Sequence, residues 1–514
     1  MLSKMPNKKT FLTKSRYVNG LQCSKWVWLA FNKPEELPEV DEATQHRFDE
    51  GRRVGELAKS LFPEGIEVKE QLNHQENDKE SRELLKKRKP LFEAGFIHKN
   101  GKCYARADTI VPTGKNKNEW DIYEIKSSTE VKEEYIWDIA FQKYCYESAG
   151  LKIRNCFVVH INNKYVKQGE VEPKEFFTIA PVSDKVEAEM ENVEDNIKKL
   201  FKIINSKECP EIKVGESCCL GREEYEKKKF NIIHEKDKFW KEHPECNIFD
   251  LYYGRKRAIE LFNHGILCIK DLDESSLTKK QQKIQHKVAK TGKPHIDKEE
   301  ITSFIKSLKY PLYFMDFETY ATAIPLYDGL KPYQAIPFQF SVHVIKKSGV
   351  KPEHHSFIVS GSKDPRKEFA KNLKSAIGES GTVLSYYQSF EKSRLKELAE
   401  FLPKNVKWIE NVIGRMIDLY DPFKSFSYYH SSQKGSASLK KVLPALTGKD
   451  YKGLEIDNGT DASLAYLFIT HGSYGGEKAT SEEIKKVRAN LEKYCGRDTE
   501  GMIWILEKLE KLIN

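Results

Sequence analysis

YARADTIVPTGKNKNEWDIYEIKS, residues 104–127, reads as a β-hairpin. Tyr104–Val111 is an apolar-rich strand and Pro112–Asn118 a polar turn. Trp120–Ile125 alternates bulky and acidic side chains, as a strand does. Asp108 lies in the first strand of this reading. Glu124 and Lys126 are two apart, so they project from one face of the second strand, and strand pairing brings Asp108 beside them. Two carboxylates next to one ammonium suit a hydrolytic site. The carboxylates hold a hard divalent cation through oxygen, and the lysine positions or activates a water whose pKa the cation lowers. Two surface strands with ordinary charges would match the same spacing.

The next segment narrows the choice. A helix over Glu133–Ala149 places Gln142 and Tyr146 one turn apart. The series strand-Asp, Glu-x-Lys, Gln-x3-Tyr resembles the PD-(D/E)XK nuclease core of the RecB-like family, which includes the CRISPR-associated adaptation exonuclease. The resemblance implies that Asp108 and Glu124 are metal ligands and that Lys126 acts on water. It also implies that Gln142 and Tyr146 contact DNA or hold the site. Upstream, LTKSRYVNGLQCSKWVWLAF reads as strand-free, with a helix over Ser15–Phe31. It is similar to the opening of that family, where a cysteine at the place of Cys23 is the first thiolate of a four-iron four-sulfur cluster. Read by itself, Cys23 is a small buried apolar residue.

A helix over Asp41–Leu61 carries the apolar stripe Val54, Leu57, Ala58 and Leu61. The RecB-like pattern here is Gly-x3-His. Gly51 matches it, but Gly55 stands where the histidine ligand would be. Glu50 and Glu56 are the candidate substitutes, and Glu56 reads equally as a solvated charge. Glu93, on a strand within Leu91–Ile97, faces either the metal or solvent. A strand over Asn155–Ile161 and an amphipathic helix over Val186–Ile204 close this first domain, residues 1–205.

Residues 206–300 form a helical connector in this reading. The resemblance implies that Cys218, Cys219 and Cys246 join Cys23 as cluster ligands, although their spacing departs from the family's. GRKRAIELFNHGILCIKDL, within Phe249–Asp273, reads as two short helices around His264-Gly265-Ile266. It is either a helix-hairpin-helix-like phosphate contact or a plain connector. Thr278–Glu300 reads as a linker or a solvated helix.

A second core, residues 301–514, begins with LYFMDFETY, which puts Asp316 and Glu318 on one face of a strand. Strands over Pro337–Ile345, Thr382–Tyr386 and Ile413–Leu419 follow. A helix starting at SFEKSRL carries Glu391 in its first turn, GSASLKKVLPAL starts another, and Glu483–Ile513 is a long helix with Tyr494 and Asp498. Two-metal phosphodiester cleavage uses about four carboxylates around two cations. The order DFE strand, Phe-Glu helix, SLKxVL helix, Tyr-x3-Asp resembles the DEDD exonucleases of the RNase H-like fold. The resemblance implies metal ligation by Asp316, Glu318, Glu391 and Asp498, with Tyr494 placing the water. Glu391 departs from it, being one methylene longer than the usual Asp. The pairing of both halves resembles a bacterial family of unknown function.

Composition sets wide bounds. The chain has 514 residues, of which 32% are charged, with a net charge of +9, and a pI of about 8.7. This suits a multidomain protein and permits a DNA or RNA partner. No apolar run reaches membrane-spanning length and no signal peptide is legible, so a cytoplasmic protein is expected. Ten scattered cysteines favour reduced thiols or metal ligands over a disulfide framework. The expected function is a metal-dependent DNA nuclease using Mg²⁺ or Mn²⁺. The alternatives are a nucleic-acid-binding scaffold, or an assembly subunit that acts only with a protein partner.

Overall fold

The computed structural model describes residues 11–69, 73–212, 214, 242, 245–473 and 475–514. The chain is a mixed α/β protein of two compact units. The first is Met1–Lys238 with Thr322–Tyr333, and the second is Phe239–Ala321 with Gln334–Asn514. Residues 206–300 therefore do not stand as a unit of their own. Among the described residues no helix is long and apolar enough to cross a membrane.

The first unit opens with β1 (Leu12–Thr13), α1 (Lys14–Gln22), α2 (Ser24–Asn32) and α3 (Glu42–Lys59). The expected single helix over Ser15–Phe31 is two helices, because Cys23 is extended between them (φ −149°) and its N–H closes α1 on the Asn19 carbonyl at 2.8 Å. The segment is not strand-free either, since β1 pairs in parallel with a later strand. Next come β2 (Ile66–Glu67), α4 (His74–Leu85), β3 (Leu91–Phe92), β4 (Gly95–Ile97), β5 (Cys103–Arg106), β6 (Thr109–Pro112) and β7 (Glu119–Lys126). After these run α5 (Glu133–Ser148), β8 (Lys152–Ile161), α6 (Pro173–Phe176), β9 (Phe177–Pro181) and α7 (Ser183–Ile204).

Six strands form a mixed sheet in the order β2-β3-β6-β7-β8-β9, and β1-β5-β4 form a smaller one. The hairpin is β6–β7, antiparallel, with Thr109 opposite Tyr123. Asp108 is not inside a strand. The stretch expected as one strand breaks at Ala107–Asp108, where the chain passes from the small sheet to the large one. Parallel pairing of β7 with β8 requires a crossover, and α5 supplies it. The buried face of α5, with Ile139, Phe141, Cys145 and Tyr146, packs into the main core with Trp120, Ile122 and Val158. Glu50 is buried, and its Oε2 accepts the backbone N–H of Ala323 at 2.7 Å. It thereby anchors the 322–333 segment.

The second unit contains α8 (Arg255–Asn263), α9 (Lys280–Thr291), β10 (His295–Ile296), α10 (Lys298–Ser307), β11 (Leu312–Tyr320), β12 (Ile336–Ile345), β13 (Glu353–Ile358) and α11 (Arg366–Ala376). It continues with β14 (Thr382–Ser385), α12 (Ser389–Phe401), α13 (Val406–Gly414), β15 (Met416–Asp418), α14 (Asp421–Lys424), β16 (Tyr428–Tyr429), α15 (Leu439–Thr447), α16 (Gly459–His471) and α17 (Ser481–Ile513). The expected pair of helices around Gly265 is one helix, α8, flanked by 3-10 turns at Ile248–Asp250 and Ile269–Asp271. The expected solvated segment contains α9, which buries Ile284, Val288 and three polar residues. Gln285 takes Tyr252 N–H at 2.7 Å and donates to the Asp250 carbonyl at 2.8 Å, so a polar face becomes a packed one.

The central sheet has the order β13-β12-β11-β14-β15. β11 pairs antiparallel with β12 and parallel with β14. Alternation along β11 feeds two cores. Leu312 and Phe314 pack with Val442, Leu443 and Met502. Tyr313, Met315 and Phe317 pack with Phe369, Leu395 and Ile409. Asp316 and Glu318 continue the first series, on the face that α17 covers.

Candidate active sites

The first candidate site forms where the chain kinks after β5. The Tyr146 hydroxyl accepts the Ala107 N–H at 2.7 Å and donates to the Ala94 carbonyl at 2.5 Å. These bonds fix the break that presents Asp108. Tyr146 is completely buried beneath the kink it bonds. Asp108 Oδ2 accepts the Ile125 N–H at 2.7 Å, which ties the kink to β7 next to Glu124. Gln142 Nε2 donates to Glu124 Oε2 at 2.8 Å and to Asp138 Oδ1 at 2.9 Å. Gln142 too is fully buried and acts as a strut.

Two ammonium groups flank the carboxylates. Lys126 Nζ lies 2.7 Å from Glu124 Oε1 and 2.9 Å from Asp138 Oδ2. Lys14 Nζ lies 2.8 Å from Glu124 Oε1 and 3.5 Å from Asp108 Oδ1. Burial and the nearby Asp108 would raise the Glu124 carboxyl, but Lys126 and Lys14 outweigh them and hold it below its ordinary value. Burial opposes charge on Lys126, yet Asp138 and Glu124 raise its pKa. Glu93 is half-buried, and burial followed by the Asp108 charge pushes it up to about 7. Its Oε2 pairs with Arg106 Nε at 2.8 Å. Glu56 pairs with Lys59 on the exposed side of α3.

The oxygens that converge here, Asp108 Oδ1 and Glu124 Oε1, are the hard donors a divalent cation takes. They already face one cation, the Lys14 ammonium. The donor set fits Mg²⁺ or Mn²⁺.

The second candidate site is built on β11, α12 and α17. Asp316 is raised well above its ordinary range by burial and then by Asp498, Glu318 and Glu391. Glu318 is raised by burial and Asp498, with Lys440 pulling the other way. Burial, with Asp418 adding, takes Glu391 up to about 8. Burial takes Asp498 up to about 6, against hydrogen bonds from Tyr451 and Tyr494 and the charge of Lys440. The four acids therefore sit within one electrostatic neighbourhood, and Tyr494 joins it one turn before Asp498.

Glu391 is buried, and its Oε2 has no hydrogen-bond partner. Its placement follows from Asp418 at the end of β15. That carboxylate takes the N–H groups of Tyr387 at 2.8 Å and Gln388 at 3.0 Å, in the turn that starts α12. Tyr387 is in the left-handed region (φ +70°) and 58% exposed. The convergent oxygens of Asp316 and Glu318 are hard donors that fit a divalent cation, and Glu391 adds an unpartnered buried carboxylate oxygen whose charge they feel.

Sequence reasoning missed several neighbours. Lys14 gives no local signal, since 110 positions separate it from Glu124. Asp138 does give one, being an acid inside the apolar run of α5. Cys495 Sγ lies 3.5 Å from Asp316 Oδ2, and ligand atoms of Asp316, Glu318 and Cys495 all lie within 4.8 Å of one another. Lys440 and Tyr451 also border the second site: Lys440 Nζ sits 5.6 Å from the Tyr451 ring centre and 5.7 Å from that of Tyr494.

Of the cysteines read as cluster ligands, Cys218 and Cys219 lie outside the described residues. Cys23 is buried in the first unit with Trp28, Leu29 and Ile212, against Cys209. Cys246 belongs to the second unit, where burial and then Asp250 push its thiol up to about 11.

Fold and sites together define a mixed α/β protein with two carboxylate-lined centres. Residues 313–438 match a family described as Domain of unknown function (DUF2779). The matched stretch carries Asp316, Glu318 and Glu391 and stops before Asp498. The chain is also similar to an uncharacterized protein of Ureaplasma parvum serovar 3, at 26% identity over 231 residues, 40% of this chain and 32% of that protein. It thus spans about a third of the length of the curated relative it matches.

Proposed function

We propose that this chain is a metal-dependent nuclease that hydrolyses phosphodiester bonds in DNA. In this reading it carries a PD-(D/E)XK-type site in the first unit and a DEDD-type exonuclease site, on an RNase H-like fold, in the second. The observation that carries the reading is the convergence of Asp316 and Glu318 on β11, whose carboxyls the charges of Asp498 and Glu391 push further up. Burying Glu318, Glu391 and Asp498 beside a partly buried Asp316 is costly, and the raised carboxyls agree with that cost. A cation site is the use that repays it. The strand order, three antiparallel strands followed by two parallel ones with Asp316 and Glu318 on the central strand, supports the RNase H-like reading.

Bound Mg²⁺ or Mn²⁺ supplies Lewis acidity to the phosphodiester and lowers the pKa of the attacking water. In the second unit Asp316, Glu318, Glu391 and Asp498 hold the charge. Tyr494 and Tyr451 orient the Asp498 carboxylate by hydrogen bonding. Exposed Tyr387, in the turn before Glu391, offers a ring on which a base can stack. In the first unit Asp108 and Glu124 supply the oxygens. Lys126, its pKa raised by Asp138 and Glu124, orients water and phosphate as a charged donor.

The test is cleavage of end-labelled single- and double-stranded DNA with Mg²⁺ or Mn²⁺, comparing the native chain with Lys126→Ala, Asp316→Asn and the double variant. Activity lost only in the double variant assigns two working sites. Unchanged activity in the double variant sinks the reading. One observation favours a second reading for the first unit, a nucleic-acid-binding module without turnover: two lysines already neutralise Glu124. That unit then binds DNA with Asp108→Asn as well as without it.

A further inference from the structure

The first site holds one more ammonium than water positioning needs, and that ammonium is aimed at the oxygens a metal would take. Lys126 reaches Glu124 and Asp138, along the side lined by α5. Lys14 shares Glu124 Oε1 with Lys126 but turns the other way, reaching Asp108 Oδ1 at 3.5 Å, so it alone bridges the two expected metal ligands. Strand pairing delivers it there. Leu12 pairs with Cys103 and Thr13 with Tyr104, so Lys14 leaves the small sheet level with the strand that leads into the Asp108 kink. The Thr13 hydroxyl then caps α1 by taking the Arg16 N–H at 3.4 Å. The backbone beneath Lys14 is thus fixed on both sides, while its four-carbon stem has the rotatable bonds a swing would use. Its side chain is 22% exposed, leaving a route to solvent.

We propose that Lys14 is a built-in competitor for the divalent cation at the first site: its ammonium bridges Asp108 and Glu124 and swings out to solvent when the cation binds. The inference rests on the nuclease reading of this site. A divalent cation and the Lys14 ammonium cannot both bridge Asp108 Oδ1 and Glu124 Oε1 without strong mutual repulsion, which is steeper for a double charge than for the Lys14–Lys126 pair that Asp108, Glu124 and Asp138 already balance. Cation binding is weakened by the work of displacing the lysine, and the site loads only where free Mg²⁺ or Mn²⁺ is high or where bound substrate adds ligands. While the lysine is in, the carboxylates stay in register without a metal.

The test uses the full chain carrying Asp316→Asn, which removes a ligand from the second site. Mn²⁺ binding is measured by calorimetry with Lys14, with Lys14→Met and with Lys14→Met plus Asp108→Asn. The expected result is affinity about tenfold or more tighter in Lys14→Met, lost again on adding Asp108→Asn. Equal or weaker binding in a folded Lys14→Met chain overturns the proposal and makes Lys14 a structural support. Binding in neither chain overturns the metal reading of this site along with it. A second measurement needs no substitution at Lys14: acetylation of the native lysine, read by mass spectrometry. Mn²⁺ should raise labelling of Lys14 and leave Lys126 protected. Labelling of Lys14 that is unchanged or reduced by Mn²⁺ also overturns the proposal.

Discussion

Tyr451, in the loop between α15 and α16, donates its phenolic hydrogen to Asp498 Oδ1 on α17, 47 positions away. This bond separates Asp498 from the rest of its cluster. Burial raises all four acids, but Asp498 reaches only about 6 while Glu391 reaches about 8. Donors on Asp498, and the Lys440 charge nearby, account for the difference.

Replacing Tyr451 by Phe should therefore raise the Asp498 carboxyl further. A protonated carboxyl ligates poorly, so the pH midpoint of Mn²⁺ binding at the second site should move in the alkaline direction, with affinity recovering above about pH 8. Titrating Mn²⁺ affinity against pH in Tyr451→Phe and native protein checks it. Superimposable profiles would mean the phenol does not tune this acid.

In the first site, Lys126 separates Glu124 from Asp138. Lys126→Met should leave two facing carboxylates, destabilise the fold by about 3–5 kcal/mol and abolish cleavage by that site. Adding Asp138→Asn should restore most of the stability and none of the cleavage, because the repulsion is relieved but the water-facing ammonium is still missing. Denaturant melts read the first effect, and DNA cleavage in an Asp316→Asn background reads the second. Additive stability losses would show that Lys126 and Asp138 are not coupled.

Tyr146→Phe removes the hydroxyl that pins Ala94 and Ala107. It should cost about 1 kcal/mol, because the Ala107 N–H keeps its 3.2 Å bond to the Ala94 carbonyl and only the hydroxyl's two bonds are lost. It should slow cleavage at the first site while DNA affinity stays within twofold. Faster amide exchange at Ala107 would mark the loosened kink. A large loss of DNA affinity with unchanged exchange would instead make Tyr146 a DNA contact.

The difference between what was legible in the chain and what was not follows the range of the interactions. Period-2 alternation located β7 and β11, and with them Glu124, Lys126, Asp316 and Glu318, because sheet faces are a local property. The break at Asp108 was not legible, since a hydroxyl 39 positions away takes the Ala107 N–H. Ile413–Leu419 looked like one strand, but Ile413 and Gly414 end α13, whose Ile409 and Val412 face the core, and only Met416–Asp418 pair in the sheet. Lys14 and Tyr451 reach their acids through tertiary packing alone. The 322–333 segment lies within residues 301–514, read as the second core, yet it belongs to the first unit, where Glu50 binds Ala323.

The Glu391 carboxyl gives the most direct stability test. Unfolded, a glutamate titrates near about 4.3; folded, Glu391 titrates at about 8, through burial first and Asp418 second. Between those values the folded chain holds a proton that the unfolded chain has lost. Stability from this group is therefore present below the unfolded value and falls as pH rises through the folded one. Glu391→Gln cannot ionise and escapes the loss. Without divalent cations, Glu391→Gln should melt close to the native chain at pH 5 and above it at pH 8.5, by about 1–3 kcal/mol in stability. Millimolar Mg²⁺ should reverse the order at pH 8.5, since a bound cation stabilises only the chain that keeps the ligand. Melting curves at the two pH values, with Mg²⁺ and with chelator, decide it. A Glu391→Gln chain that is less stable than native in chelator at pH 8.5 would show that this carboxyl is not held among uncompensated acids, and the four-acid centre would lose its fourth member.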